Sequence, residues 1–364
     1  MPSSPVTILE TARIDGWKTP YATRRVPRSA ICTLLTGEIT PRVGDLVLVR
    51  VDKLGQHKHL ELACGRRARL FHGDEIVLAY GHRYAPDQFE AEVPGDAGPC
   101  HMVAAGGVAA RVLTKHDRMG APTKVTPLGL LGDRTGRALN LSQFALPPRP
   151  LPIKRPFTVA VVGTSMNAGK TETATHIIRG LKRAGLRVGA AKVTGTGAGG
   201  DAWSMRDAGA FHVLDFGDAG MPSTYLASAQ RVEEAMCTLI AQLSREGAQA
   251  VVFEVADGVF QRETAALVES PIFKRAVDAV VFAAGDAMGS VGGVAWLRER
   301  GLPVVAAGGL LTASPLATRE AAQAIGLPLL TLEDLASPAV AQTLAPQASS
   351  RAAVPPADLR LAAG

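Results

Sequence analysis

The chain has 364 residues, of which 47% are hydrophobic, 5% aromatic and 20% charged, with a formal net charge of +6. That length accommodates two domains, each able to bury a core. The basic residues are scattered, with no tract interleaved with aromatics, which speaks against nucleic-acid binding. No run of about 18 apolar residues is free of charge, which speaks against a membrane span.

In chain order, the opening segment "MPSSPVTILETARIDGWK" lacks a charged start followed by an apolar run, so it does not read as a signal peptide. Cys32, Cys64, Cys100 and Cys237 form no CxxC pair and fit neither a disulfide framework nor a zinc site. Together these point to reduced thiols and a cytoplasmic location. "RRVPR" at 24–28 is the densest basic cluster and reads as a solvated loop. Short β-like runs follow: "SAICTLLTG", "DLVLVRVDKL", "HLELACG", "DEIVLAYG" and "FEAEVP", each bounded by Gly, Pro or Asp. They predict a β-rich domain over 1–145, its strands within 20–145, with a small barrel as its form. His57 and His59 share a face if "HKH" is a strand, but with His72 they form no ligand set, and exposed polar residues are the expectation.

Residues 146–156 hold five prolines and read as a semi-rigid linker. From 157 to 343 apolar runs alternate with amphipathic ones. "FTVAVVG", "RVGAAKV", "FHVLDF", "AQAVVFEV", "AVDAVVFAA", "LPVVAAGG" and "LPLLTL" read as strands. Helices are expected from Lys170, over 226–246, near 290–300 and near 315–325. This is the pattern of an α/β fold with a mainly parallel sheet covered by helices. The tail 344–364, rich in Ala and Pro, is expected to be disordered.

The chemistry concentrates at 163–172. A buried strand leads into Gly163-Thr164-Ser165-Met166-Asn167-Ala168-Gly169-Lys170-Thr171-Glu172, and a helix begins at the Lys. That context is the one a phosphate-binding P-loop requires. Consecutive backbone N–H groups and the helix N-terminus surround phosphates, Lys170 reaches the β- and γ-phosphates, and the Thr171 hydroxyl binds Mg2+. Five residues separate Gly163 from Gly169, one more than the common spacing. Asp201 and Glu254 stand at or just past strand ends, where open α/β sheets bind ligands. With Thr171 they form an oxygen donor set suited to Mg2+. Asp201 reads equally as a helix N-cap, whereas Glu254 would leave an unpaired charge at the core edge unless it meets a metal or donor.

The loop resembles that of dethiobiotin synthetase and related amidating synthetases, which read Gly-Thr-Asp-Thr-x-x-Gly-Lys-Thr, with Ser165 here in place of the family's Asp. The resemblance continues through "AAKVTGTGAGGD", where Lys192, Thr194 and Gly195 match a Lys-Pro-x-x-Thr-Gly motif with Val193 for Pro, and through "VVFEVADGVF" around Glu254. It covers roughly 156–335 and implies ATP and Mg2+ as cofactors. Asp201 and Glu254 become metal-associated carboxylates, and residues 308–315 a base-contacting segment. It makes catalytic residues of Lys170, Lys192 and Glu254, with Lys192 a second cation toward the γ-phosphate. The absence of an Asn-Lys-x-Asp signature points to ATP rather than GTP. The loop "DFGDAGMPSTYL" offers Ser223, Thr224 and Tyr225 to a substrate, or Ser223 or Thr224 as a cap for the next helix. "GDAMGSVGG" at 285–293 lines the cleft or simply turns.

The expected activity is an ATP-dependent ligase or synthetase that activates a carboxylate or carbamate on an unidentified small molecule. The alternatives are a nucleotide-dependent switch acting on a protein partner and a CoA-dependent acyltransferase. Room is left for a homodimer.

Overall fold

The computed structural model describes residues 5–344; the tail beyond, expected to be disordered, lies outside the described residues. The N-terminal half holds β1 (Val6–Ile8), α1 (Thr11–Asp15), β2 (Thr33–Leu35), β3 (Leu46–Lys53), β4 (His59–Glu61), β5 (Arg67–Arg69) and β6 (Glu75–Tyr80). It continues through β7 (Arg83–Tyr84), β8 (Phe89–Glu92), β9 (Cys100–Ala104), β10 (Val108–Lys115) and β11 (Thr123–Gly132). Strands β11, β3, β6, β10 and β9 pair in that order, and β9 pairs back onto β11. The ring is therefore closed. All its pairs are antiparallel except β6 with β10. Closure removes the exposed edges that such short strands would otherwise carry.

Inside the ring sit Val47, Val49, Val51, Ile76, Leu78, Met102 and Val125. The opposite faces of β3 and β6, from Leu46, Leu48, Val77 and Ala79, are covered by Trp17, Ile31 and Leu34 of the N-terminal segment. That second cover explains why β3 reads as an unbroken apolar run up to Arg50 rather than alternating. Strands β8 and β7 extend from β10 to an edge, and that edge faces the C-terminal half.

Between 145 and 156 the chain is neither helix nor strand. The C-terminal half then runs β12 (Phe157–Gly163), α2 (Lys170–Arg183), β13 (Val188–Lys192), α3 (Gly200–Asp207), β14 (His212–Asp215) and α4 (Ala229–Arg245). It goes on through β15 (Ala250–Glu254), α5 (Arg262–Glu269), α6 (Pro271–Ala276), β16 (Ala279–Ala283), α7 (Ala287–Glu299) and β17 (Val304–Gly308). Last come α8 (Pro315–Ile325), α9 (Leu332–Ala336) and α10 (Val340–Leu344). The sheet is all parallel, in the order β14-β13-β15-β12-β16-β17.

The period-2 geometry of a strand divides β12 between two cores. Val159 and Val161 pack with Ile177, Ile178 and Leu181 of α2. Ala160 and Val162 face the opposite layer with Phe253, Phe273 and Val294. Burying each Val contributes about 1.5–3 kcal/mol, so both helical layers are held by the same strand. The run "LPLLTL" is not a strand: it makes only the single bridge Ala307↔Leu329. Pro328 has no N–H for a ladder, and the capping box of Thr331 turns the chain into α9.

Candidate functional site

The loop after β12 is tightly constrained. Gly169, at the N-cap of α2, has φ +90, and a Cβ there would lie 2.9 Å from the Leu310 nitrogen. A Cβ on Gly163 would come 2.5 Å from the Ala283 carbonyl oxygen and 2.9 Å from Lys170 Cγ. Glycine is therefore required at both ends. The loop is strapped by neighbouring strand ends: Thr164 N donates to Ala283 O at 3.0 Å, Val259 N to Gly163 O at 3.0 Å and Leu310 N to Ala168 O at 3.0 Å. Ser165, Asn167 and Glu172 are exposed, while Ala168 is buried. Thr164 and Met166 are half-buried.

A parallel sheet with a phosphate loop between its central strand and the following helix defines the fold. In the C-terminal half that loop is Gly163–Gly169, between β12 and α2. Similar solved structures include the 54 kDa protein of the signal recognition particle from Aeropyrum pernix K1 in complex with GDP, at 20% identity and TM-score 0.35 over 56% of this chain. Two further ones are the cell division protein FtsY from Thermotoga maritima, at 13%, 0.36 and 54%, and the FtsY receptor from Elizabethkingia anophelis in complex with GDP, at 15%, 0.31 and 43%. This chain covers 50%, 74% and 49% of those three chains respectively, about half the length of the first and third. No family model matches the sequence, and no curated protein does.

Lys170 is 6% exposed. Its Nζ donates to the Ser165 carbonyl at 2.7 Å, and among the described residues it makes no ion pair. Burial lowers its pKa, opposed by the charges of Glu254 and Asp257. The one hydrogen bond of this buried ammonium is thus to a neutral carbonyl, within the field of Glu254 and Asp257. Thr171 Oγ1 lies 3.2 Å from Asp201 Oδ1 and 3.1 Å from Glu254 Oε2, and its one proton serves one carboxylate at a time. Sheet register sets Glu254, 2% exposed, between Val161 of β12 and Lys192 of β13. Lys192 forms an ion pair with Asp201. The predicted trio of Thr171, Asp201 and Glu254 is thus brought together, with Lys192 beside it.

The donors present fit Mg2+ and a nucleotide. Two carboxylates and a hydroxyl suit an ion that retains waters and takes phosphate oxygens; among the described residues no group of three or more His, Cys, Asp or Glu converges. Thr171, Asp201 and Glu254 would hold the ion. The loop amides and Lys170 would hold phosphates, whose charge the ion would neutralise. Asp257, just past β15, belongs to the same cluster. Burial raises its pKa, while Lys170, Lys192 and Arg83 pull it back.

Several expectations are corrected. Asp201 is not a helix cap, because Gly199 holds that place and Asp201 lies in the first turn of α3. Neither Ser223 nor Thr224 caps α4: Ser228 does. Thr224 instead ties the loop after β13, accepting from Gly195 N at 2.9 Å. Tyr225 donates to Glu90 Oε1 at 3.1 Å. His57 precedes β4 rather than lying on it, is half-buried and meets the Val103 carbonyl at 2.8 Å. Segment 285–293 begins α7, capped by Asp286, and a Cβ on Gly289 would touch Thr164 Cγ2 at 3.0 Å. Gly309 and Leu310, within the segment expected to contact the base, pack directly on the P-loop.

The largest revision concerns the N-terminal half. "RRVPR" is no solvated loop. Arg24 Nη2 lies 2.7 Å from Asp215 Oδ1 and 2.7 Å from Asp218 Oδ2, and the Tyr21 hydroxyl donates to Asp215 Oδ2 at 2.7 Å. Glu61, 4% exposed, accepts from Gly199 N at 2.9 Å and Trp203 Nε1 at 3.1 Å. Asn167 of the P-loop donates to Asp87 Oδ2 at 2.9 Å. The β-domain therefore grips the loops that follow β12, β13 and β14. Sequence reasoning missed these partners because they lie 80 to 194 positions apart.

Proposed function

We propose that the chain is a Mg2+-dependent P-loop enzyme that binds a nucleoside triphosphate, ATP first among candidates, and uses its γ-phosphate to set the position of the N-terminal β-domain as a nucleotide-dependent switch toward a protein partner. The observation that carries nucleotide binding is the buried, unpaired Lys170 beside Thr171, Asp201 and Glu254. What favours a switch is the direct grip of the β-domain on three loops of the P-loop domain, through Asp87, Glu61 and Arg24. A change in the phosphate loop is then transmitted to a second body without a further relay.

The ATP-dependent ligase is the second reading. It is favoured by the motif resemblance through Lys192 and by a cleft of about 940 Å³ between the two halves, lined by Arg42, Arg137, Arg231 and Tyr225. Such basic lining suits a carboxylate substrate. None of the cleft's lining residues belongs to the 163–171 loop, which favours the switch over the ligase.

Calorimetry of the full chain with Mg2+ and ATP or GTP, followed by phosphate release, tests the proposal. Lys170→Ala should lose about 10–100-fold in nucleotide affinity, the weight of one charged hydrogen bond to phosphate. Equal affinity in that variant overturns nucleotide binding at this loop. Phosphate release stimulated by small carboxylates and amines would replace the switch with the ligase.

A further inference from the structure

Arg83, on the edge strand β7 of the β-domain, is 7% exposed. Among the described residues it forms no ion pair; its Nη2 donates to the neutral Gln88 Oε1 at 2.7 Å. Its Nε is buried without any hydrogen-bond partner, and so is Oδ1 of nearby Asp87. Burial pushes the guanidinium down to about 10. A buried charge without an ion pair is costly, and the fields of Asp87 and Asp257 offset the burial of Arg83 only in part.

Its surroundings point to the nucleotide site. Four residues along, Asp87 accepts a hydrogen bond from Asn167 of the P-loop. Arg83 acts electrostatically on Asp257, which also feels Lys170, Lys192 and Glu254. Asp257 stands directly before Gly258, whose added Cβ would overlap the Thr164 carbonyl. Arg83, Lys170 and Lys192 thus all act electrostatically on the Asp257 carboxylate. That carboxylate is itself disfavoured in its charged form by burial.

We propose that Arg83 is the γ-phosphate ligand contributed by the β-domain: its free guanidinium edge pairs with the terminal phosphate of a bound nucleoside triphosphate and leaves a diphosphate untouched. This rests on the nucleotide-binding reading above. It also gives the β-domain a direct means of telling triphosphate from diphosphate. A guanidinium suits this task, since its donors form a fixed fork matched to phosphate oxygens.

The test is calorimetry of the full chain with Mg2+-ADP and with the Mg2+ complex of the non-hydrolysable β,γ-imido triphosphate. Arg83→Ala should bind ADP within about twofold of the wild type and lose about tenfold or more toward the triphosphate analogue. Arg83→Lys should fall between them. Unchanged analogue affinity, or equal losses for both ligands, overturns the assignment. If Arg83→Ala does not fold, hydrogen exchange on the wild type decides. Amides of 82–90 should be protected by the analogue and not by ADP, and equal protection by both refutes the proposal. If the wild type binds neither nucleotide, the underlying reading of the loop fails instead.

Discussion

Replacing Arg24 by Ala removes the centre of the clasp between the two halves. Its guanidinium holds Asp215 and Asp218 at 2.7 Å each, with side-chain exposures of 17% for Arg24, 4% for Asp215 and 9% for Asp218. Without it, two nearly buried carboxylates face each other. The Tyr21 hydroxyl remains on Asp215, and Arg25 stays 3.4 Å from Asp218. Removing one partner of a buried ion pair costs about 3–5 kcal/mol. The remaining partners set the expected loss near the lower end, about 3 kcal/mol. Urea unfolding of the full chain, followed by tryptophan fluorescence, measures it, because Trp203 packs edge-on to Tyr21 at 6.2 Å. The pH dependence adds a second check. Burial raises the Asp218 pKa, Asp215 raises it further, and Arg24 opposes both. A carboxyl raised in the fold destabilises it as pH rises through the folded pKa, and the cost vanishes below the unfolded value near 4. The variant's deficit should therefore be largest at neutral pH and shrink on acidification. A loss below about 1 kcal/mol at neutral pH, as for an exposed pair, would refute the clasp.

Glu254→Gln keeps the shape of the carboxylate but removes its charge, so Mg2+-dependent phosphate release should fall while nucleotide affinity changes by less than about threefold; a Mg2+ titration of turnover checks this, and normal turnover removes Glu254 from the ion's site. Asp257→Asn should raise the unfolding temperature of the nucleotide-free protein at neutral pH, because the native carboxyl's pKa is raised by burial. The gain should fade as pH drops through that raised pKa toward the unfolded value. Calorimetric scans over pH measure it, and a lower melting temperature at neutral pH contradicts the reading.

The parallel sheet was legible because its inner strands β15 and β16 are buried throughout and read as apolar runs, and α2 and α4 repeat at 3.6 residues. The phosphate loop was legible for a different reason. Gly163, Gly169, Lys170 and Thr171 are set by backbone geometry within nine positions, so spacing alone carries the information. Glu254 could be singled out as an acid at the end of an apolar strand. The short strands β1, β5 and β7 were not foreseen, since two or three residues carry no periodicity, and neither were β9, β10 and β11, which supply three of the five ring strands. Nor could the partners of the site from the β-domain be foreseen. Arg83, Asp87, Glu61 and Arg24 are ordinary charged residues in sequence, and their meaning arises only when the ring closes and carries β7 and the segment at 21–24 against the second half.

The hydrogen bond from Asn167 to Asp87 makes the phosphate loop part of a domain interface. Thermodynamic reciprocity then applies. If docking of the β-domain shapes the loop for its nucleotide, the nucleotide strengthens docking by the same factor. A ligand at 100 times its dissociation constant adds about 2.7 kcal/mol to the state that binds it, comparable to the contribution expected of Arg24. With the discrimination proposed for Arg83, the cell's ratio of triphosphate to diphosphate would set how firmly the two halves of this chain hold one another.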